Sequence, residues 1–332
     1  MTRIKVGTGT VDLDLVLVFS GGNALGAFQA GFYDVLHDHG IEPDWIVGTS
    51  IGAINGALIF GVRPEDRVTN LHRFWDIPAG SDYAWPFGPS PWQRTLGANW
   101  AAIYGRPGLF DIATTGLANH AVYNTGGLRR TLDRQVDFER LNGGPFRFTV
   151  NAVDLETGED VIFDSQRGRI QSGHIRASAA LPVLFPPIKS DGRWLVDGGL
   201  SANLALDPFF QNLPPRRTLC MAVDLLPEAQ VLPRTLGEAG SRMQDLVFAA
   251  QSRRALERWT ETLGSYRGPG VTFVRVAYAN QRKEVFGKAM DFSRLTIQGR
   301  WHEGHGAARS LLHRIATDDL AIAEEGLVVH EA

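Results

Sequence analysis

The segment Trp45-Ile46-Val47-Gly48-Thr49-Ser50-Ile51-Gly52-Ala53 decides how this chain is read. Three apolar residues form a short strand, and residues 53–60 continue as a helix of small and apolar residues. Between them lies a G-x-S-x-G. Glycines two before and two after the serine let the backbone reverse sharply, so the hydroxyl projects from a strained turn at a helix N-terminus. There the helix dipole and the free amide groups favour developing negative charge. The competing reading is a serine that N-caps an ordinary helix. The strand-to-helix setting favours a nucleophile.

Outward from this turn, the chain alternates in the βα manner. Residues 15–19 form an unbroken apolar run, as expected of a strand buried on both faces. After Gly21-Gly22-Asn23, residues 27–39 read as a helix with Phe28, Phe32, Val35 and Leu36 at helical spacing, capped by Gly40. Further strands are expected at 146–153, 160–163, 193–196, 219–225 and 271–276. Helices are expected at 175–181, 241–263 and 297–325. Persistent alternation of this kind implies a three-layer α/β domain. Residues 74–110 differ in character, holding Trp75, Trp85, Trp92 and Trp100 among Pro78, Pro86, Pro89, Pro91 and Pro107. Linkers are rarely so aromatic, so this stretch reads as a cap or insertion.

Composition narrows the class. The 332 residues are 44% hydrophobic, enough for a large core, and 33 basic against 36 acidic residues leave a net charge of −3. That balance argues against a nucleic-acid partner. A single cysteine, Cys220, excludes an internal disulfide and a cysteine-based zinc site. The early apolar run contains Asp12 and Asp14, unlike a secretory signal, and no window reaches the ~18 apolar residues of a membrane span. The expectation is a cytoplasmic protein.

Three more features could carry chemistry. Ser20-Gly21-Gly22-Asn23-Ala24-Leu25-Gly26 joins a strand to a helix, and its successive glycines let N–H groups converge on an anion. A dinucleotide-binding turn is the rival, but the G-x-G-x-x-G spacing is absent. Asp197-Gly198-Gly199 follows a strand and reads by default as a hairpin turn. Its alternative is a carboxylate held beside the serine. Among the nine histidines, His302, His305 and His313 fit the Ser–Asp–His order of a triad, although none sits in a recognisable signature.

Taken in order, the Gly-Gly loop, the G-x-S-x-G and the later Asp-Gly-Gly resemble the patatin-like phospholipase family. Ala177-Ser178-Ala179-Ala180-Leu181-Pro182, followed by Phe185-Pro186-Pro187, is similar to the family's stretch before its aspartate, and Asp154-Leu155-Glu156-Thr157-Gly158 to a family hairpin. The resemblance covers about residues 13–210. It implies an α/β/α fold with a central, mostly parallel sheet, a catalytic domain over 1–210 and a C-terminal extension over 211–332 packed on it.

The resemblance further implies a Ser–Asp dyad, with Ser50 as nucleophile and Asp197 as base. The oxyanion hole would come from Gly21, Gly22, Asn23 and Ile51, with no metal or organic cofactor. Acyl esters or lipids are the implied partners, with contact to a membrane or lipid aggregate. Leu25, Trp85, Trp92, Pro182 and Phe185 are the candidate substrate contacts. The chain departs from the family loop at Asn23, which replaces a glycine, and at Leu25, which stands where a basic residue is usual. An acyltransferase and a lipid-binding protein without turnover are the alternative functions.

Overall fold

The computed structural model describes residues 2–6, 9–75, 105, 106, 108–112, 121–226, 228, 229, 232–278, 281 and 287–332. The first half contains β1 (Thr2–Val6), β2 (Gly9–Phe19), α1 (Ala27–Asp38), β3 (Trp45–Gly48), α2 (Ile51–Phe60) and α3 (Arg67–Trp75). A small sheet of β4 (Gly105–Arg106), β5 (Phe110–Ile112) and β6 (Tyr123–Asn124) follows, then α4 (Gly126–Gln135) and α5 (Phe138–Gly143). Next come β7 (Arg147–Asp154), β8 (Asp160–Asp164), α6 (Ser172–Ser178), β9 (Ile188–Ser190), β10 (Arg193–Asp197), α7 (Gly199–Ala202) and α8 (Asp207–Phe210). The chain closes with β11 (Thr218–Asp224), α9 (Leu236–Thr262), β12 (Val271–Ala277), α10 (Arg294–Ala316) and β13 (Leu327–Glu331).

The central sheet runs β13-β12-β11-β2-β3-β7-β10-β9, with β1 beside β2 and β8 beside β7. Every pairing from β13 to β7 along this path is parallel. Side-chain alternation divides the core between two faces. Leu15, Leu17 and Phe19 join α1, α2 and α10 on one side, while Val16 and Val18 join Phe209, Phe210 and Leu256 on the other. The result is the α/β/α sandwich, with both faces of the sheet dry.

The strands that the apolar runs foretell are present, with ends shifted by a few residues. Two edge strands, β1 and β13, lie outside the runs read above, although β13 opens on Leu327-Val328-Val329. The expected helix at 297–325 stops at Ala316, and Asp318 takes φ of 60° two residues later. Asp197-Gly198-Gly199 is not a hairpin turn, because the chain passes from β10 directly into α7. Residues 211–332 supply three strands of the same sheet, and β11 lies directly against β2.

One pairing detail positions the chemistry. β8 lies along β7 from Thr149 to Val153, which fills one edge of that strand. β3 and β10 therefore share the other edge. β3 runs parallel to β7 until Gly48 faces Val150, and β10 enters antiparallel with Asp197 facing Ala152. The turn after β3 and the end of β10 are thereby brought side by side.

Candidate active site

Ser50 stands between β3 and α2 with φ of 54° and ψ of −119°, a backbone state that a side-chain-bearing residue adopts only under constraint. Three contacts supply the constraint. Its N–H donates to the buried Ser178 hydroxyl at 2.9 Å. Thr49 beside it donates its hydroxyl to Asn151 Oδ1 at 2.6 Å. Gly52 lies so close to β2 that a Cβ there would stand 2.3 Å from the Phe19 carbonyl oxygen. Only glycine allows the helix to begin this near the sheet.

The Ser50 hydroxyl donates to Asp197 Oδ2 at 2.7 Å, and Asp197 Oδ1 accepts the Gly199 N–H at 2.7 Å. Burial pushes the Asp197 carboxyl up to about 7, against the opposing pull of the Gly199 N–H and the Ser50 hydroxyl. A carboxylate poised near neutrality is suited to proton transfer.

The Gly-Gly loop crosses above this pair. The Asn23 φ of 51° realises the left-handed conformation that asparagine tolerates. The N–H groups of Gly22, Asn23 and Ile51 reach no acceptor among the described residues. Gly21 differs from the expected donor role. Its N–H donates to the Asn203 carbonyl at 3.1 Å, and a Cβ on it would stand 3.2 Å from Ser50 Cβ. Gly21 therefore provides room and leaves the donors to its neighbours. The Asn23 side-chain amide is also engaged, donating to Met290 Sδ at 3.2 Å.

Ser50 and Asp197 open into a cavity of about 270 Å3. Its wall is mainly apolar, with Ile54, Leu109, Phe110, Leu128, Leu184 and Phe185 among the contributors. Phe185 thus lines the cavity, whereas Pro182 does not. Leu25 is fully buried in the core on the turn at Asn23–Gly26, away from the wall, so it makes no substrate contact there. Trp85 and Trp92 lie outside the described residues. His302, His305 and His313 all project from α10 and none lines the cavity. His305 instead pairs with Asp34 at 2.8 Å. No cluster fit to hold a metal ion occurs among the described residues, and none of their helices is long and apolar enough to cross a membrane.

Three supporting residues escape a reading of the sequence. Asn151, on β7, receives the Thr49 hydroxyl and donates to the carbonyls of Gly198 and Ala202 at 3.2 and 3.3 Å, tying the serine turn to the aspartate turn. Asn203 ties that same turn to the Gly-Gly loop through the Gly21 carbonyl at 3.3 Å. Ser178 holds the Ser50 amide. Asn151→Ala removes three hydrogen bonds between the two turns, although Thr49, Gly198 and Ala202 each keep another partner, so it should lose about 2 kcal/mol of stability in urea denaturation. The same substitution should loosen the Ser50–Asp197 approach and lower kcat by roughly tenfold or more.

A strand, a serine on a constrained turn and a helix, set on a mostly parallel sheet with a carboxylate against the hydroxyl, define an α/β fold with the strand–turn–helix setting that a G-x-S-x-G requires. The chain belongs to the patatin-like phospholipase family, whose model matches residues 17–210. It is 32% identical over 191 residues to the uncharacterized NTE family protein Rv2565 of Mycobacterium tuberculosis, covering 57% of this chain and 27% of that protein. It is 31% identical over 190 residues to lysophospholipase nte1 of Aspergillus terreus, covering 57% of this chain and 10% of that one. The chain thus spans about a quarter or less of the length of these relatives. VipD from Legionella pneumophila aligns in structure with a TM-score of 0.48 and 15% identity, over 95% of this chain and 71% of that one.

Proposed function

We propose that this protein hydrolyses acyl esters of lipids, with Ser50 as nucleophile and Asp197 as general base. The observation that carries the proposal is the 2.7 Å contact between hydroxyl and buried carboxylate at an apolar cavity. Membership of the phospholipase family and the likeness to a lysophospholipase support a lipid ester as substrate.

The proposed steps use each of these groups in turn. Asp197 takes the Ser50 proton as Oγ attacks the ester carbonyl, and the N–H groups of Gly22, Asn23 and Ile51 receive the oxyanion. Collapse expels the alcohol, which leaves with the proton from Asp197, and an acyl group remains on Ser50. Asp197 then draws a proton from water as it attacks the acyl carbon, and returns that proton to Ser50 Oγ as the acyl–Oγ bond breaks and the fatty acid leaves. These steps call on neither a metal nor an organic cofactor.

Hydrolysis of p-nitrophenyl esters from acetate to palmitate provides the test. Wild-type turnover, abolished in Ser50→Ala, is the expected result, and the chain-length optimum reports the reach of the cavity. A folded wild type silent on every ester would overturn the proposal in favour of lipid binding without turnover. The pH profile gives an independent check. Asp197 must be ionised to accept a proton, so kcat/KM should rise through pH about 7 and level off above it. An acid limb centred near pH ~4 would mean that burial leaves this carboxyl an ordinary aspartate, whereas an acid limb near pH ~7 that persists in Asp197→Asn would contradict its assignment as base.

A further inference from the structure

Asn23 puts a side chain into the Gly-Gly loop, and that side chain is fastened. Its Nδ2 donates to Met290 Sδ at 3.2 Å, and both residues line the cavity. The loop has few other holds at this point. The N–H groups of Gly22 and Asn23 reach no acceptor among the described residues, so neither pins the backbone there. Gly22 is packed against Leu225, where a Cβ would stand 2.9 Å from Leu225 Cδ1. Leu225 and Met290 both lie beyond residue 210, where the match to the family model ends.

Met290 ends a short helical turn, Lys288–Met290, that is braced from two helices. On the α9 side, the buried Asp245 carboxylate lies 2.7 Å from Lys288 Nζ, and Gln281 Oε1 accepts from the same ammonium at 2.6 Å. On the α10 side, the buried Arg300 guanidinium donates to the carbonyls of Lys288 and Asp291 at 2.8 and 3.0 Å. Two charges in a protein wall add little stability over apolar packing. What they add here is a fixed position for the turn. Met290 itself is only half-buried, so the bracing does not serve to bury it. The turn presents its thioether, a weak acceptor, to the one polar side chain of the loop that carries the oxyanion donors.

We propose that Met290 is a positioning residue for the oxyanion hole. By accepting from Asn23, it holds the Gly22 and Asn23 N–H groups where negative charge develops on the ester carbonyl oxygen. Met290 takes no part in the bond changes and acts through the loop. This rests on the hydrolase reading above and adds to it a residue outside the segment matched by the family model.

The test is a double-mutant cycle on p-nitrophenyl butyrate with wild type, Asn23→Gly, Met290→Leu and the double variant. Asn23→Gly keeps the loop N–H and loses the side chain, whereas Met290→Leu keeps the apolar bulk and loses the acceptor. Each single change should lower kcat about tenfold with KM near the wild-type value, the mark of an interaction that counts in the transition state. The double variant should fall no further than either single, because both changes remove the same contact. Losses that multiply to about a hundredfold would make the two residues independent and overturn the proposal. A change confined to KM would make Met290 a wall residue and overturn it too. Should Met290→Leu fail to fold in urea denaturation, Asn23→Gly decides alone, and an unchanged kcat there overturns the proposal. A wild type silent on every ester would sink the hydrolase reading and this proposal with it, whereas turnover with multiplying losses sinks this proposal alone.

Discussion

Asp197→Asn is expected to lower ester turnover by roughly 10³–10⁴-fold in a protein that still folds. The amide is nearly isosteric with the carboxylate and keeps an oxygen for the Gly199 N–H, so the turn at Asp197-Gly198-Gly199 persists. What disappears is the carboxylate proposed to accept the serine proton. No second base stands ready, because no histidine among the described residues lines the cavity. Single-turnover labelling of Ser50 by a fluorophosphonate should slow together with turnover, which separates loss of the base from loss of substrate binding. Turnover within about tenfold of wild type would remove Asp197 from the mechanism and bring a histidine base forward.

The same substitution should stabilise the protein above neutral pH. In the unfolded chain an aspartate titrates at about 3.9, whereas burial holds Asp197 at about 7. Between those values the folded protein keeps a proton that the unfolded chain has released. Its stability therefore declines as pH rises from about 4 to about 7, then levels off. At pH 8 the wild type carries a buried carboxylate, whereas the Asp197→Asn protein carries a neutral amide in its place. Urea denaturation at about pH 8 should show Asp197→Asn more stable by on the order of 2–4 kcal/mol, with the advantage shrinking towards zero near pH ~4. An equal or lower stability in alkali would mean that the carboxylate is better solvated than its burial implies.

Much of the arrangement around Ser50 is legible because its signals are local. The apolar run at 15–19, the tight turn at 48–52 and the following helix each announce themselves within a few residues. The strand that ends in Asp197 does so too, although the residues after it read by default as a hairpin. Whether that aspartate meets Ser50 depends on the register of three strands, and spacing alone does not encode it. The family resemblance supplies that link. Asn151 and Asn203 are invisible for the same reason, since an asparagine in a strand or after a short helix has no distinguishing pattern until its partners fold against it. Gly21 shows the converse. Its place in a glycine-rich loop suggests a hydrogen-bond donor, yet the Asn203 carbonyl claims its N–H. β1 escapes notice because its buried positions include Thr2 beside Ile4, and β13 because its apolar run is only three residues long and none of its residues is fully buried.

The position of β11 has a consequence for biosynthesis. During translation the serine turn, the aspartate turn and every segment matched by the family model emerge before Thr218. At that moment β2, a central strand of the finished sheet, has β3 along one side and an unfilled row of N–H and C=O groups along much of the other. Such a row invites pairing with any extended chain nearby. Only when Thr218–Asp224 is made does the sheet close over it. A nascent or truncated chain that ends near residue 210 is accordingly the form most in need of a chaperone, although it already holds all the residues assigned to the reaction.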